Sequence, residues 1–301
     1  MTQKTGNNPG TPKPASTVIL AREQDGRLEI YLLRRSGQSS FMPGNYVFPG
    51  GRVDREDRDP GLWEGHGDMD LKAISQRLGG ELIGEEALAH AVAAIRETFE
   101  EAGVFLGFRN GPGSEDLEKV CGRPMTGDLF QGWFREWVVS GDWTLAFSWL
   151  APWAHWITPK LRLQRYDTRF FLAFMPHGQE CTPDSKETTL GIWVSPEKAL
   201  KGNLRGEIPL SPPTLVTIHE LLAYASMEEL EREAAKRTWG DACMPHLVPL
   251  PGEALILLPW DPRYNQDIEI SAGNLEKRIL PMGKPFSRLW YHNEIWRPVS
   301  D

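Results

Sequence analysis

Apolar residues at helical spacing predict one long amphipathic helix in the first part of the chain, from about residue 85 to residue 102. Five of these residues recur every three or four positions and would share the face that packs against a core: Leu88, Val92, Ile95, Phe99 and Ala102. Gly103 follows at the position where a helix commonly ends in a left-handed residue. The apolar run Val104–Leu106 after it predicts a strand.

Short apolar runs bounded by polar and turn residues predict strands on both sides of this helix. The clearest of them are 17–21, 28–34, 170–174 and 190–194. Asp25–Gly26 separates the first two runs, and this dipeptide favours the two-residue turn of a β-hairpin. Near the end of the chain, 247–250 and 254–258 predict a further pair of strands, and 288–291 is also β-like.

Helical spacing returns further along the chain. Residues 111–145 predict a loop with one or two helices, and 214–225 and 226–237 predict two more. Ser195–Pro196 predicts the start of a short helix, with proline at its first position. Six of the twelve tryptophans lie between residues 133 and 156. We interpret most of these tryptophans as core and expect one or two of them near a ligand.

The chain divides into a tail, a main domain and an extension. Residues 1–15 are rich in Pro, Gly, Asn, Thr and Lys, which predicts a disordered tail. The other assigned parts are a domain over 16–240, an acidic and glycine-rich insert at about 58–85, the helical segment 111–145 and a C-terminal extension, 241–301, packed on the same domain. His66 in the insert is interpreted as a solvent-exposed loop histidine.

The composition is that of a globular protein with an acidic balance. The 301 residues are 40% apolar and 25% charged, and the formal net charge at pH 7 is −8. This charge argues against an extended nucleic-acid partner, although a small phosphorylated ligand remains compatible with it. Apolar runs such as Ala254–Leu258 are too short to span a membrane.

No secretory signal and no peroxisomal address are recognisable, so we expect a cytoplasmic protein. The cysteines lie too far apart for a metal-ligand spacing and are interpreted as free thiols in a reducing compartment: Cys121, Cys181 and Cys243.

The polar side of the predicted helix carries three glutamates on a single arc: Glu97, Glu100 and Glu101. Their like charges repel one another, and a hard divalent cation would remove this conflict because Mg²⁺ prefers carboxylate and phosphate oxygens. Arg96 lies four residues before Glu100 and can form an ion pair with it. Two interpretations stay open at this point, a metal site and a solvated acidic face.

Upstream, the short apolar run Val47–Phe48 leads into Pro49-Gly50-Gly51. Together with 96–104, this segment resembles the two halves of the Nudix box, G-x5-E-x7-R-E-U-x-E-E-x-G-U, in which U is apolar. With Gly51 as the leading glycine, Asp57 lies where the family usually has Glu, and Thr98 lies where it has an apolar residue.

The spacing of the two halves is the larger departure from the box. Residues 58–95 place 38 residues where the pattern has x7. One branch of the Nudix family carries such an insertion, the branch of the mammalian peroxisomal coenzyme A diphosphatase, and this chain is similar to that branch over most of residues 16–262.

The resemblance implies an α/β fold, the Nudix α/β/α sandwich with a mixed β-sheet. The ligands that it implies for Mg²⁺ or Mn²⁺ are Gly51, Glu97, Glu100 and Glu101. Arg96 would hold a carboxylate in place. Glu187, just before a predicted strand, would be a further ligand or a base, with an ordinary loop glutamate as the alternative. The implied reaction hydrolyses a nucleoside diphosphate linked to another group; for coenzyme A or acyl-CoA it yields 3′,5′-ADP and (acyl-)4′-phosphopantetheine.

Five arginines in two segments are candidates for contacts with substrate phosphates: Arg34, Arg35, Arg162, Arg165 and Arg169. The segment 160–169 carries four positive charges and one negative charge, which suits a polyphosphate or the 3′-phosphate of coenzyme A. A solvated strand end is the alternative for the first segment, and a polar strand edge that discourages aggregation is the alternative for the second.

Other interpretations of the same site remain. It could hydrolyse ADP-ribose, NADH or another dinucleotide, or the chain could be a nucleotide-binding sensor without catalysis. Three repelling carboxylates weigh against the sensor, because binding alone would not need them. We expect a small nucleotide substrate as the partner, no extended nucleic acid and no membrane, and we leave homodimer formation open.

Overall fold

The computed structural model describes residues 10–37, 42–109, 132–184, 188–265 and 277–300. The strands in these ranges are β1 (Lys13–Gln24), β2 (Arg27–Arg35), β3 (Tyr46–Val47), β4 (Gly50–Arg52), β5 (Gly107–Phe108), β6 (Thr144–Leu145), β7 (Ala151–Ile157), β8 (Tyr166–Phe174), β9 (Thr188–Val194), β10 (His246–Leu250), β11 (Glu253–Leu257), β12 (Arg288–His292) and β13 (Ile295–Val299). The helices are α1 (Pro60–Trp63), α2 (Leu71–Ile74), α3 (Gly84–Ala102), α4 (Trp133–Gly141), α5 (Pro196–Arg205), α6 (Pro212–Leu221) and α7 (Met227–Lys236).

Seven of these strands form a mixed sheet, in the order β3-β2-β1-β8-β7, with β4 paired to β1 and β9 paired to β2. β1 and β2 form the predicted hairpin, and Asp25 and Gly26 have φ angles of 52° and 69°, as a type I′ turn requires. β1 runs parallel to β8, so that Val18 lies beside Phe171, whereas the other pairs of this sheet are antiparallel.

Apolar side chains on the two faces of the sheet pack into two separate layers, because successive strand residues point to opposite faces. One layer joins the sheet to α3 and includes Val18, Leu20, Leu33, Val92, Ile95 and Phe99. The other layer joins the sheet to α5, α6 and α7 and includes Ile19, Ile30, Leu32, Leu200, Leu215, Ile218 and Leu230. The α/β/α sandwich that the resemblance implied is therefore confirmed.

α3 begins and ends close to its predicted limits. Gly103 adopts the left-handed conformation with φ of 69°, and its N–H donates to the carbonyl of Phe99. The strand predicted at Val104–Leu106 is wrong: these residues are buried, and the strand begins only at Gly107. The side-chain amide of Gln179 bonds both backbone groups of Phe105, so this residue satisfies its backbone without a neighbouring strand.

The insert after Asp57 folds against α3. It contains α1, α2 and a π-helical turn, Ser75–Gly79, and it contributes Trp63 and Ile74 to the layer of α3. His66 is half-buried, and its Nδ1 lies 3.2 Å from the carbonyl oxygen of Trp143, so it is less exposed than predicted.

The chain enters the sheet earlier than the composition predicted. β1 begins at Lys13, so the predicted tail 1–15 extends too far by three residues, and residues 1–9 lie outside the described ranges. α4 lies within the predicted helical segment 111–145, of which residues 111–131 are also outside those ranges.

The later helices carry the expected caps. Pro196 is the first residue of α5, and the hydroxyl of Ser195 accepts the N–H of Lys198. The hydroxyl of Ser226 likewise accepts the N–H of Glu229 at the start of α7. α6 begins two residues before the predicted 214 and ends at Leu221, before the predicted 225.

The C-terminal strands form a four-stranded antiparallel sheet, in the order β10-β11-β12-β13. Ile256, Leu289 and Trp296 of this sheet belong to the same apolar layer as α6. The limits 16–240 and 241–301 of the domain and extension stay predictions.

Of the cysteines, Cys181 and Cys243 are free thiols, and Cys121 lies outside the described ranges. Among the helices of the described residues, none is long and apolar enough to cross a membrane.

Candidate active site

α3 directs its three glutamates toward β4 and the loop after it. Glu101 is 6% exposed, and the side chains of Glu97 and Glu100 are 13% and 23% exposed. Burial to this degree excludes the solvated acidic face that the sequence left open. Carboxylates this far from water need partners, and the partners come from three separate parts of the chain.

Arg96 is the hub of these contacts. Its Nε and Nη2 donate to Oδ1 and Oδ2 of Asp57 at 2.9 and 2.8 Å, and Nη2 also donates to the carbonyl of Arg52 at 2.9 Å. Its Nη1 donates to Glu97 at 2.9 Å and to Glu100 at 3.0 Å. Burial disfavours the charged guanidinium, but the bond to Asp57 and the charges of Glu97 and Glu100 outweigh it and raise its pKa. A permanently charged arginine therefore orients the carboxylates.

Asp57 and Arg96 join the two halves of the split box. The 38 residues 58–95 lie between them, yet their side chains meet in a two-pronged ion pair. Asp57 is 1% exposed, and its Oδ2 also accepts the N–H of Asp54 at 2.8 Å. A fork between guanidinium and carboxylate is a strong and directional contact. The insert thus loops out without separating the halves.

Two glycines bring the backbone against the glutamates. The N–H of Gly50 donates to Oε2 of Glu101 at 2.8 Å, and its φ is 154°. A Cβ at this position would lie 2.4 Å from the carbonyl oxygen of Ser16, and a Cβ on Gly51 would lie 2.5 Å from the carboxylate of Glu97. The position of Gly50 therefore requires glycine because the clash is with backbone, whereas a side chain at Gly51 would displace the carboxylate of Glu97.

Burial raises the pKa of two of the glutamates. For Glu97, burial is the largest cause; the charge of Arg96 opposes it, the charge of Glu100 adds to it, and the pKa rises to about 7. Burial also raises the pKa of Glu100 against the opposing charge of Arg96. Holding both carboxylates charged is unfavourable without further positive charge, which a cation would supply.

The donor set fits a hard divalent cation, which prefers carboxylate oxygens. In the described part of the chain, no three His, Cys, Asp or Glu side chains are arranged to enclose a metal ion. Two of the glutamates are instead turned toward Arg96 and the third toward the amide of Gly50. The side chains that could hold an ion here are Glu97, Glu100 and Glu101, and the backbone of Gly51 lies beside the first of them.

A cavity of about 900 Å³ opens beside the glutamates, at the upper end of the size range of small-molecule sites. Its described lining contains arginines and carboxylates in equal number: Arg35, Arg52, Arg55, Arg96, Arg135 and Arg162, with Asp54, Glu56, Asp57, Glu97, Glu100 and Glu101. It also has an apolar wall, formed by Val47, Phe48, Trp156, Phe170, Leu247 and Ile256.

The structure places two of the five candidate arginines at this cavity, Arg35 and Arg162. Arg34 is exposed on β2 and is not part of the lining. Its neighbour Arg35 is part of the lining, as is Val47 of β3.

The placement of Arg165 contradicts its predicted contact with substrate phosphate. It is buried, its Nε donates to the carbonyl of Thr158, and its Nη1 donates to the carbonyl of Gly10, both at 3.0 Å. It ties the segment before β1 to the turn before β8 and is not part of the cavity lining.

Arg169 is likewise in the wrong place for that role. Thr168 and Phe170 of β8 line the cavity, so Arg169 between them points to the opposite face of the sheet. It is buried there, with its guanidinium 5.2 Å from the ring centre of Trp239.

Glu187 lies outside the described residues, and its role stays a prediction. Of the six clustered tryptophans, Trp143, Trp153 and Trp156 are buried in the core, Trp133 and Trp137 are partly buried against it, and Trp149 is 39% exposed. Trp133 and Trp156 line the cavity.

Some cavity residues were not identified from the sequence. Trp133 donates its indole N–H to Oε1 of Glu100 at 2.9 Å, although 33 positions separate the two residues. Leu247 and Ile256, which are cross-strand partners in the C-terminal sheet, also reach the cavity. No local motif marks such contacts, since they depend on how distant segments pack.

Comparisons with known proteins agree with this geometry. The family model described as the NUDT19 Nudix domain matches residues 69–221. The acyl-coenzyme A diphosphatase NUDT19 of Homo sapiens is 28% identical over 334 aligned positions, which cover 97% of this chain and 86% of the relative. The Gallus gallus protein of the same name is 27% identical over 349 positions, covering 93% of this chain and 89% of the relative.

Among solved structures, a NUDIX hydrolase from Alicyclobacillus acidocaldarius superposes with a TM-score of 0.59 and 25% identity, covering 77% of this chain and 99% of that one.

The family match begins after Gly51 and Asp57, so it contains the second half of the box only. The first half lies outside the matched residues, but the contacts of Asp57 with Arg96 and of Gly50 with Glu101 bring it against the second half. Nudix hydrolases generally need a divalent metal, and the glutamates here fit one. The chain belongs to the Nudix family, in the group described as the NUDT19 Nudix domain, and is a Nudix hydrolase.

Proposed function

We propose that this chain hydrolyses the diphosphate of coenzyme A or of acyl-CoA, releasing 3′,5′-ADP and 4′-phosphopantetheine or its acyl form. The observation that carries the proposal is a single cavity that joins the Nudix glutamates to arginines and to an apolar wall. A substrate with phosphates at one end and an apolar chain at the other suits such a cavity. Relatives named acyl-coenzyme A diphosphatase, which align with more than nine-tenths of the chain, support the same substrate class.

The charges of the cavity support a metal-dependent reaction. Six arginines and six carboxylates among the described lining residues balance each other, so the lining alone offers a polyphosphate no net attraction. We propose that Mg²⁺ or Mn²⁺ supplies the net positive charge that attracts the substrate phosphates. When bound, it supplies neutralisation of the diphosphate charge and activation of water.

The residues of the chain then have distinct tasks. Glu97, Glu100 and Glu101 would hold the cation through their carboxylates. Arg96 keeps the first two oriented, and the amide of Gly50 does the same for the third. Arg35 and Arg162 also line the cavity, and we propose that they bind phosphate oxygens of the substrate.

The decisive experiment is a substrate screen of the purified protein. Coenzyme A, acyl-CoAs of several chain lengths, 3′-dephospho-coenzyme A, NADH and ADP-ribose are incubated with Mg²⁺, Mn²⁺ or EDTA, and the products are identified by mass. We expect 3′,5′-ADP from coenzyme A or its thioesters with metal and none with EDTA. Turnover of NADH or ADP-ribose alone would make the substrate assignment wrong, and no turnover of any compound would favour a sensor.

A matched pair of variants tests the metal site in the same screen. Glu100→Gln should lose activity by about a hundredfold or more, the scale of removing a catalytic group, and should gain less thermal stability from Mg²⁺ than the wild type does. Glu197→Gln removes the same charge from an exposed position on α5 and should behave as the wild type. Equal responses of the two variants would contradict the metal site.

A further inference from the structure

Glu100 is held from two sides, by an arginine of its own helix and by a tryptophan from another part of the chain. Arg96 donates to Oε2 at 3.0 Å, and the indole Nε1 of Trp133 donates to Oε1 at 2.9 Å. Among the described residues, each oxygen of the carboxylate therefore has one donor and keeps lone-pair capacity for another ligand. Two donors on different oxygens also restrict the rotation of the carboxylate plane.

The indole is itself fixed in place. Trp133 is the first residue of α4, and its ring packs against Phe99 and Phe134 with centroids 5.9 and 5.7 Å apart. Two residues later, Nη2 of Arg135 lies 3.2 Å from the carboxylate of Asp59. The start of α4 is thereby attached to the loop that follows the first half of the box.

We propose that Trp133 is a positioning residue of the active site, whose indole N–H holds Glu100 in the orientation that binds the divalent cation. The inference rests on the proposed metal-dependent function. Packing alone would not require this donor, because a phenylalanine could fill the same contacts with Phe99 and Phe134. The N–H is instead aimed at a carboxylate that has only one other described side-chain donor, Arg96.

The test compares Trp133→Phe with Trp137→Phe. Trp137 packs against the same Phe99 at 4.8 Å, but among the described contacts it donates no hydrogen bond to Glu100. The measurements are the Mg²⁺ affinity of the substrate-free protein by calorimetry, and kcat and KM at saturating metal. We expect Trp133→Phe to weaken Mg²⁺ binding and to lower kcat, each by about ten- to a hundredfold, with KM changed by less than about twofold. Trp137→Phe should stay within about twofold of the wild type.

A double-mutant cycle shows whether the effect passes through Glu100. In a Glu100→Ala background, Trp133→Phe should cause no further loss of Mg²⁺ affinity. Losses of the same size in both backgrounds, or equal effects of the two tryptophan variants, would overturn the proposal.

A measurement on the wild type removes any dependence on folding of the variants. In protein labelled with ¹⁵N at tryptophan, Mg²⁺ titration should shift the indole resonance of Trp133 and leave that of Trp137 nearly unchanged. An unshifted Trp133 at saturating Mg²⁺ would overturn the proposal. If the wild type turns over no coenzyme A compound, the proposed function fails, whereas these titrations still decide the role of Trp133.

Discussion

The guanidinium of Arg96 contacts both a buried carboxylate of the fold and the carboxylates of the site. It neutralises Asp57, which is almost fully buried, and it orients the carboxylates of Glu97 and Glu100. Lysine could not replace it, because an ammonium is a compact point charge and cannot span acceptors on several sides in fixed directions. The same planar geometry explains how one residue can support both the fold and the site.

Arg162 is the candidate for binding the 3′-phosphate of coenzyme A, because it lines the cavity. We expect Arg162→Ala to raise KM for coenzyme A by about tenfold or more, since a hydrogen bond to a charged group is worth about 1.5–3 kcal/mol. KM for 3′-dephospho-coenzyme A should change by less than about twofold. Steady-state kinetics on both substrates give the comparison.

The control for this experiment is Arg165→Ala, which removes the same charge from the same segment but outside the cavity. It should lower stability, because it removes two hydrogen bonds to backbone carbonyls, and it should leave the ratio of the two KM values unchanged. If Arg162→Ala raised KM equally for both substrates, this arginine would not bind the 3′-phosphate.

α3 is at once a core helix and the scaffold of the site. Its C-terminal turns carry the glutamates, and its middle packs on β1, where His90 is buried with Nδ1 3.0 Å from the hydroxyl of Ser16. Burial, together with the charge of Arg169, lowers the pKa of His90 to about 4. The helix is therefore attached to the sheet through a histidine that favours the neutral form.

This histidine makes a prediction about acid stability. In the unfolded chain its pKa is about 6.5, so below that pH the unfolded state takes up a proton first and is stabilised. The contribution of His90 to the free energy of unfolding is nearly constant above pH 7 and is lost as the pH falls toward 4. Between pH 7.5 and pH 5 the loss is about 2 kcal/mol. Chemical denaturation of the wild type and of His90→Gln at both pH values measures it. The wild type should lose more stability than the variant, and parallel losses would contradict the assignment.

The cavity exists only because distant parts of the chain meet. Its described lining residues come from β1 to β4 and the loop after them, α3, the start of α4, the strands β7 and β8 with the loop between them, the start of α6 and the C-terminal sheet. In the C-terminal sheet, Leu247 of β10 pairs with Ile256 of β11, and both side chains reach the apolar wall. Val248 points to the other face and packs beside Leu255 and Leu257. The extension is thus placed to affect which acyl chains the cavity accepts.

Filling the apolar wall should change acyl-chain preference. We expect Leu247→Trp to lower kcat/KM for long-chain acyl-CoA by about tenfold or more, because a few methylene groups in an apolar pocket are worth that much. The kcat/KM for coenzyme A itself should change by less than about twofold. Val248→Trp adds the same ring on the opposite face and should leave the chain-length profile unchanged. Equal loss on coenzyme A and long-chain substrates in Leu247→Trp would contradict an acyl contact.

Short-range sequence patterns were sufficient to predict the elements whose structure depends on neighbouring residues. The limits of α3 follow from its apolar spacing and from Gly103, the residue type that adopts a left-handed cap most readily. The β1–β2 hairpin follows from Asp25–Gly26, and the start of α5 follows from Ser195–Pro196. The arc of three glutamates could also be predicted, because a regular helix fixes the angles between its side chains.

Tertiary structure decided the rest, because the remaining features depend on contacts between residues far apart in the chain. Asp57 meets Arg96 across 38 intervening residues, and Trp133 meets Glu100 across a separation of 33. Alternation along β8 sends Arg169 away from the cavity, which a count of positive charges could not show. An apolar run such as Val104–Leu106 has the same pattern whether it forms a strand or a buried irregular segment, and here the bonds to Gln179 select the second.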